Sequence, residues 1–154
     1  MKTRVTILAT MLLMAGVAAS CEEKIVDTSK PIEIPVTEYS LYETDCWWTN
    51  YEPNNVIVIS SNEDLEKCIA CSDDNTYPAI DFSKYTLLLA QGYATNGVGF
   101  TEATLSWDAP NAYILKVTVH VGMTAVAPGW IGAYLTSKLP QEAEVLLEYK
   151  QTYY

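Results

Sequence analysis

Apolar positions along the chain change their spacing several times, and each change marks an element. Val5 to Val17 is apolar throughout except for Thr6 and Thr10, and is shorter than the roughly 20 residues a membrane span requires. Apolar residues then thin out until Ile32, Ile34 and Val36, which alternate around Pro31 and Pro35. Each proline fixes its own φ and biases the preceding residue towards extended geometry. This stretch reads as an extended spacer able to dock as an edge strand. Tyr39 to Asn54 shows no period and is predicted to be an irregular, aromatic loop. Asn55 to Ser60 is a short buried-strand candidate. Next comes a helix start, with a capping box formed by Ser60 with Glu63 or by Ser61 with Asp64. Leu65, Cys68 and Ile69 share a face at helical spacing. The helix is predicted to run to Ala70 or Cys71, where Ser72-Asp73-Asp74-Asn75 stops it.

The second half carries strand patterns. Tyr85 to Gln91 is a continuous apolar run of strand length, the pattern of a central strand. Gly92 to Gly99 is expected to be a mobile connection. From Phe100 to Trp107, Ala103, Leu105 and Trp107 oppose Glu102, Thr104 and Ser106. Asp108 to Asn111 reads as a turn. From Ala112 to Val121, Tyr113, Leu115, Val117, Val119 and Val121 oppose Ile114, Lys116, Thr118 and His120. A loop over 122–129, a strand over 130–137, a turn at Leu139-Pro140-Gln141 and a last strand over 143–149 complete the chain. Such alternation suits an antiparallel sheet with one wet face. The expectation is an α+β fold: about six strands in a mostly antiparallel sheet or small sandwich, with one packed helix.

The amino terminus changes how the chain is divided. Lys2 and Arg4 precede the apolar run, and Val17-Ala18-Ala19-Ser20 closes it with small residues just before Cys21. A positive start, short apolar middle and small-residue end make a secretory signal. The cysteine at once after it points to a bacterial lipoprotein, with lipid on the sulfur and new amino terminus of Cys21. Residues 1–20 are read as the signal, 21–38 as a lipid-anchored tether and 39–154 as one domain. Glu22-Glu23 partly resembles the acidic signal that sends lipoproteins of anaerobic gut bacteria to the outer face of the outer membrane. The expected location is therefore the outer membrane, with the cell-surface face favoured.

Charge narrows the partners. The whole chain carries a formal net charge of −10, and removal of Lys2 and Arg4 makes the mature chain more acidic still. That balance disfavours nucleic acid and anionic lipid as partners.

Three cysteines follow Cys21. Cys68-Ile69-Ala70-Cys71 has the spacing of a redox or metal pair, but it sits near the end of the predicted helix, where the dipole does not lower a thiol pKa. A tetrahedral zinc site requires four ligands, and only His120 could join the three thiols. In an oxidising envelope a structural disulfide is the default. The expected bridge is Cys46–Cys71, with Cys68 a buried free thiol; Cys46–Cys68 is the alternative.

No catalytic residue set emerges, and neither a cofactor nor a metal is expected. His120, the only imidazole, reads as structural. The serines lack a histidine and carboxylate arrangement, and 19 acidic residues make any single carboxylate pair uninformative. The glycines of 92–99 lack the lysine of a phosphate loop. The candidate binding surface is the aromatic loop (Trp47, Trp48, Tyr51) together with the glycine loop (Asn96, Gly97, Phe100). Loop aromatics usually fold back over a core, so one of Trp47 and Trp48 is expected to point inward.

Ser60-Ser61-Asn62-Glu63-Asp64-Leu65, a helix, and then Ile80-Asp81-Phe82-Ser83-Lys84-Tyr85-Thr86-Leu87-Leu88-Leu89 resemble a family of small envelope lipoproteins of anaerobic gut bacteria. The same order is similar, more distantly, to the C-terminal domain of PrcB-like protease-complex regulators. The likeness runs over roughly residues 56–150. The turn Gly92-Tyr93-Ala94-Thr95-Asn96-Gly97 departs from the regulators' Gly-Gly-Tyr pattern. The resemblance implies a non-catalytic module that acts on another envelope protein, such as a protease. The alternative function is a cell-surface glycan-binding accessory lipoprotein that stacks sugars on Trp47, Trp48 or Trp130.

Overall fold

The computed structural model describes residues 31–72, 76–126 and 128–154. The expected signal, Cys21 and the first part of the tether lie outside the described residues.

Among the described residues, ten strands and one short helix make three layers. The strands are β1 (Ile32–Ile34), β2 (Val36–Glu38), β3 (Cys46–Trp48), β4 (Asn55–Ile59), β5 (Ile69–Cys71), β6 (Tyr85–Tyr93), β7 (Val98–Ala109), β8 (Ala112–Val121), β9 (Gly129–Ser137) and β10 (Glu144–Tyr153). The helix α1 is Asn62–Glu66. One sheet has the order β1-β7-β8-β10, the second β2-β9-β6-β4, and β3 pairs with β5 in a small third sheet. Every pairing is antiparallel except β8 with β10, which is parallel. The chain is thus β-rich and mostly antiparallel, but its ten strands in three sheets replace the expected six or so.

Alternation along the strands builds the main core. Leu105 of β7 and Leu115, Val117 and Val119 of β8 face Leu88 and Ala90 of β6 and Trp130 and Tyr134 of β9 across the sandwich. The continuous apolar run of β6 has a second use. Its other face, through Leu87 and Leu89, joins Ile59, Leu65, Cys68 and Ile69 in a second core beneath the third layer. A strand buried on both faces has no polar side to show, which explains its lack of alternation.

Pro35 marks a change of sheet. Before it β1 pairs with β7; after it β2 pairs with β9, and the Thr136 hydroxyl donates to the Pro35 carbonyl at 3.0 Å. The stretch from Ile32 to Glu38, read as tether, therefore supplies one edge strand to each of the two four-stranded sheets. In the β7–β8 hairpin, Pro110 and the positive φ of Asn111 (61°) fit the pattern of a type II turn.

The helix is the main correction. Ser61 caps it, its hydroxyl oxygen accepting from the Asp64 backbone N–H, so Ser61 with Asp64 forms the cap. It ends at Glu66 rather than Ala70 or Cys71. Residues 69–71 pair instead with β3, and Cys46 lies directly opposite Cys71 in that pairing. The two cysteines form the expected disulfide, and Cys68 is a buried free thiol. One turn of helix is a weak competitor against a strand pair stapled by a covalent bond.

Candidate binding surface

Glycines and aromatic rings interlock at one end of the sandwich, where β6 turns into β7 and β8 turns towards β9. Gly92 lies under the Trp130 ring, Gly99 under Tyr154 and Gly129 under Tyr51, each so closely that a β-carbon would collide with the ring. Glycine is needed at these points to let a ring lie on the backbone, an arrangement that also restores packing lost at a side-chain-free strand position. Half of the expected connection, four of its eight residues, is therefore strand: β6 runs through Tyr93 and β7 begins at Val98. The residues left between are strapped down. The Thr95 backbone N–H and hydroxyl both donate to Gln151 Oε1 at 2.9 Å. The Gly97 N–H donates to the Thr124 carbonyl at 3.1 Å, and the Gly122 N–H to the Gly97 carbonyl at 2.8 Å.

Gln91 fixes the aromatic loop to this end. It is fully buried; its Nε2 donates to the Asn50 carbonyl at 2.6 Å and its Oε1 accepts from the Glu52 N–H. A buried amide with both ends satisfied holds a loop more specifically than an apolar contact does. Tyr51 then donates to the Gly92 carbonyl at 2.5 Å and meets Tyr93 edge-on, with ring centroids 6.0 Å apart. Burial pushes the Tyr51 phenol pKa above its usual value, with smaller contributions from Tyr93 and Tyr149.

A second cluster sits beside the first on the outer face of the β1-β7-β8-β10 sheet. Phe100 stacks on His120 with ring centroids 4.1 Å apart, and Tyr154 tilts against Phe100 at 6.0 Å. His120 Nε2 lies 3.1 Å from the Glu102 carboxylate, and Nδ1 lies 3.1 Å from the Thr152 hydroxyl. Both ring nitrogens are thus engaged, which orients the imidazole as a platform for Phe100. Tyr153 donates to Asn96 Oδ1 at 3.3 Å. Tyr93, Phe100, Tyr153 and Tyr154 are nonetheless 53%, 50%, 69% and 69% exposed. Each ring thus touches a neighbour and still leaves half or more of the residue exposed.

Of the residues expected to form a surface, Tyr51, Asn96, Gly97 and Phe100 meet at this end. The tryptophans belong to the third layer. Trp48 packs into the second core against Tyr39 at 6.1 Å, whereas Trp47, opposite Ala70, is 52% exposed. Sequence reasoning missed Tyr93, Gln91, Gln151 and the Tyr153-Tyr154 pair. The polar residue closing the apolar run at Gln91 was the available signal for a buried tether. The terminal tyrosines fell beyond a strand read as ending at Tyr149.

The same outer face carries a shallow groove of about 400 Å³ whose lining includes Glu102, Lys116, Thr118, Glu148 and Lys150. Lys116 and Glu148 pair across β8 and β10 at 3.4 Å. Set against known protein families, curated proteins and solved structures, the chain matches none.

Proposed function

We propose that this chain is a lipid-anchored, non-catalytic module of the cell envelope that binds another envelope protein through the aromatic end of its sandwich. The observation that carries this reading is the set of half-exposed to mostly exposed rings (Tyr93, Phe100, Tyr153 and Tyr154) gathered at strand ends, where Gln151 bonds the Thr95 N–H and the Tyr93 carbonyl and Phe100 stacks on His120. Aromatic side chains supply large contact area at low entropic cost and dominate protein interfaces, and a pre-formed surface avoids the ordering cost of binding. The anchor rests on the Val17-to-Cys21 pattern, and the regulatory role on the resemblance to envelope lipoproteins and protease-complex regulators. Pull-down from native envelopes with the full-length chain tests it. The unsubstituted chain is expected to retain a reproducible envelope protein that a Tyr93→Ala/Phe100→Ala variant loses. Equal recovery by both, or no reproducible partner, overturns the reading.

One observation favours a surface glycan instead: Tyr153 carries the Asn96 amide on its hydroxyl, and aromatic faces beside amides suit sugar hydroxyls. The Tyr51–Tyr93 pair is edge-on at 74°, which offers no continuous flat platform, so the protein partner is the leading reading. Glycan-array binding lost in the same double variant would reverse that order.

A further inference from the structure

The four edges of the two large sheets are not equally protected. β1 and β2 are three residues long and are separated by Pro35. β4 has five residues and follows Pro53 and Asn54, the latter at a φ of 64°. Short length, proline and irregular backbone are the usual devices that stop edge-to-edge association. β10 has none of these three; its protection is limited to the exposed charges Glu144, Glu148 and Lys150. It runs for ten residues without glycine or proline, holds an unbroken register with β8 from Glu144 to Tyr153, and no described strand pairs with its other side.

The direction of its free groups follows from two hydrogen bonds. The Glu144 and Tyr154 N–H groups donate to the carbonyls of Asn111 and Val121, on the β8 side. In a parallel pair alternate residues of a strand point to the same side, so even-numbered residues engage β8. The N–H and C=O groups of Val145, Leu147, Tyr149, Gln151 and Tyr153 therefore face outward along the open edge.

We infer that β10 pairs antiparallel with β10 of a second copy of this chain, around a two-fold axis through Tyr149. A two-fold normal to the sheet keeps each side chain on its own face, so only registers centred on a residue are allowed. Centring on Tyr149 places Tyr149 opposite Tyr149 of the second copy, and Leu147 opposite Gln151. Those outward-facing residues exchange the backbone hydrogen bonds. On the outer face it sets Glu148 opposite Lys150, twice by symmetry. These fall at the non-hydrogen-bonded sites, where opposed side chains are closest. Shifting the centre by one residue sets Glu148 against Glu148 or Lys150 against Lys150, and like charges directly opposite are destabilising. Lys150 is exposed and makes no ion pair among the described residues, so it is available; Glu148 can accept from Lys150 of the second copy while keeping Lys116. The contact is isologous, closes on itself and joins the two sheets into one eight-stranded sheet.

Sedimentation of the full-length chain in a neutral, density-matched detergent tests this. The unsubstituted chain is expected to be dimeric. Lys150→Glu and Glu148→Lys are each expected to weaken association by about tenfold or more, because each turns both opposed pairs into like charges. An equimolar mixture of the two variants restores opposite charges and is expected to regain the dimer. Both positions are exposed, and a cooperative melting transition with an unchanged circular-dichroism spectrum establishes that the variants fold. Amide exchange supplies a second reading: the Leu147, Tyr149 and Gln151 amides are protected in the dimer and exchange freely in Lys150→Glu. A monomer at all concentrations, a dimer indifferent to both reversals, or free exchange of those amides in the unsubstituted chain overturns the inference.

Discussion

At the scale of single residues, the glycines show how one residue type serves different costs. A methyl group at Gly92 would meet the Trp130 ring, which is buried and has its indole N–H without a hydrogen-bond partner among the described residues. That ring cannot move without disturbing the core. Gly92→Ala is expected to cost about 1–3 kcal/mol, the range for overpacking. The same change at Gly99 meets Tyr154, whose exposed ring can swing away, so it is expected to cost about 0.5 kcal/mol or less. Urea unfolding of both variants checks the difference. Asp81 gives a pH prediction. Hydrogen bonds from Lys84 and Ser83 hold its carboxyl down to about 2, below the value of about 3.9 for an unfolded aspartate. A depressed folded value means that the contribution to stability is complete above about pH 4 and is lost as pH falls towards about 2. Asp81→Asn is expected to flatten that part of the acid-unfolding profile, and NMR titration of the carboxyl reads the value directly. Residues differed in how legible they were. The Cys46–Cys71 bridge was accessible because cysteine spacing and compartment leave few choices. The ring seats at Gly92, Gly99 and Gly129 were not, since a glycine in a sequence shows freedom at one position and nothing of which distant ring approaches it.

Among the elements, long strands were read well and competing local signals were not. β4 and β8 lie where alternation or a continuous apolar run put them, and the buried run of β6 extends through Gly92 to Tyr93. The helix was overextended because Leu65, Cys68 and Ile69 have helical spacing, yet their shared burial arises from one turn of α1 followed by β5. A spacing rule cannot distinguish a helix face from a bend that delivers the same three side chains to one core. The disulfide is what holds that bend against β3. Cys46→Ser is expected to cost about 2–4 kcal/mol, the usual range for a native bridge, and to release the Trp47-Trp48 strand first. Denaturant unfolding gives the first quantity, and quenching of tryptophan fluorescence the second. Cys68 should stay unreactive towards thiol reagents until unfolding, because burial pushes its thiol pKa up.

For the whole molecule, three layers divide the work. The central sheet is buried on both faces along β6, the third layer covers its far side with the disulfide, and the outer sheet leaves a polar face and a long edge without a strand partner among the described residues. The aromatic end lies where the two large sheets connect, so its rings are borne by strand termini and not by a free loop. Of the four rings proposed as the surface only Phe100 was singled out from the sequence; its neighbours Tyr51, Asn96 and Gly97 stood out as aromatic or turn residues in irregular context. The other three rings depend on which strand ends come together. The most direct measurement is site-specific photo-crosslinking in intact envelopes, with the crosslinker placed at Tyr93, Tyr153 or Trp47. A discrete protein adduct from Tyr93 and Tyr153, with none from Trp47, is the predicted result. An adduct from Trp47 alone, or none from any position, would contradict a binding surface at the aromatic end.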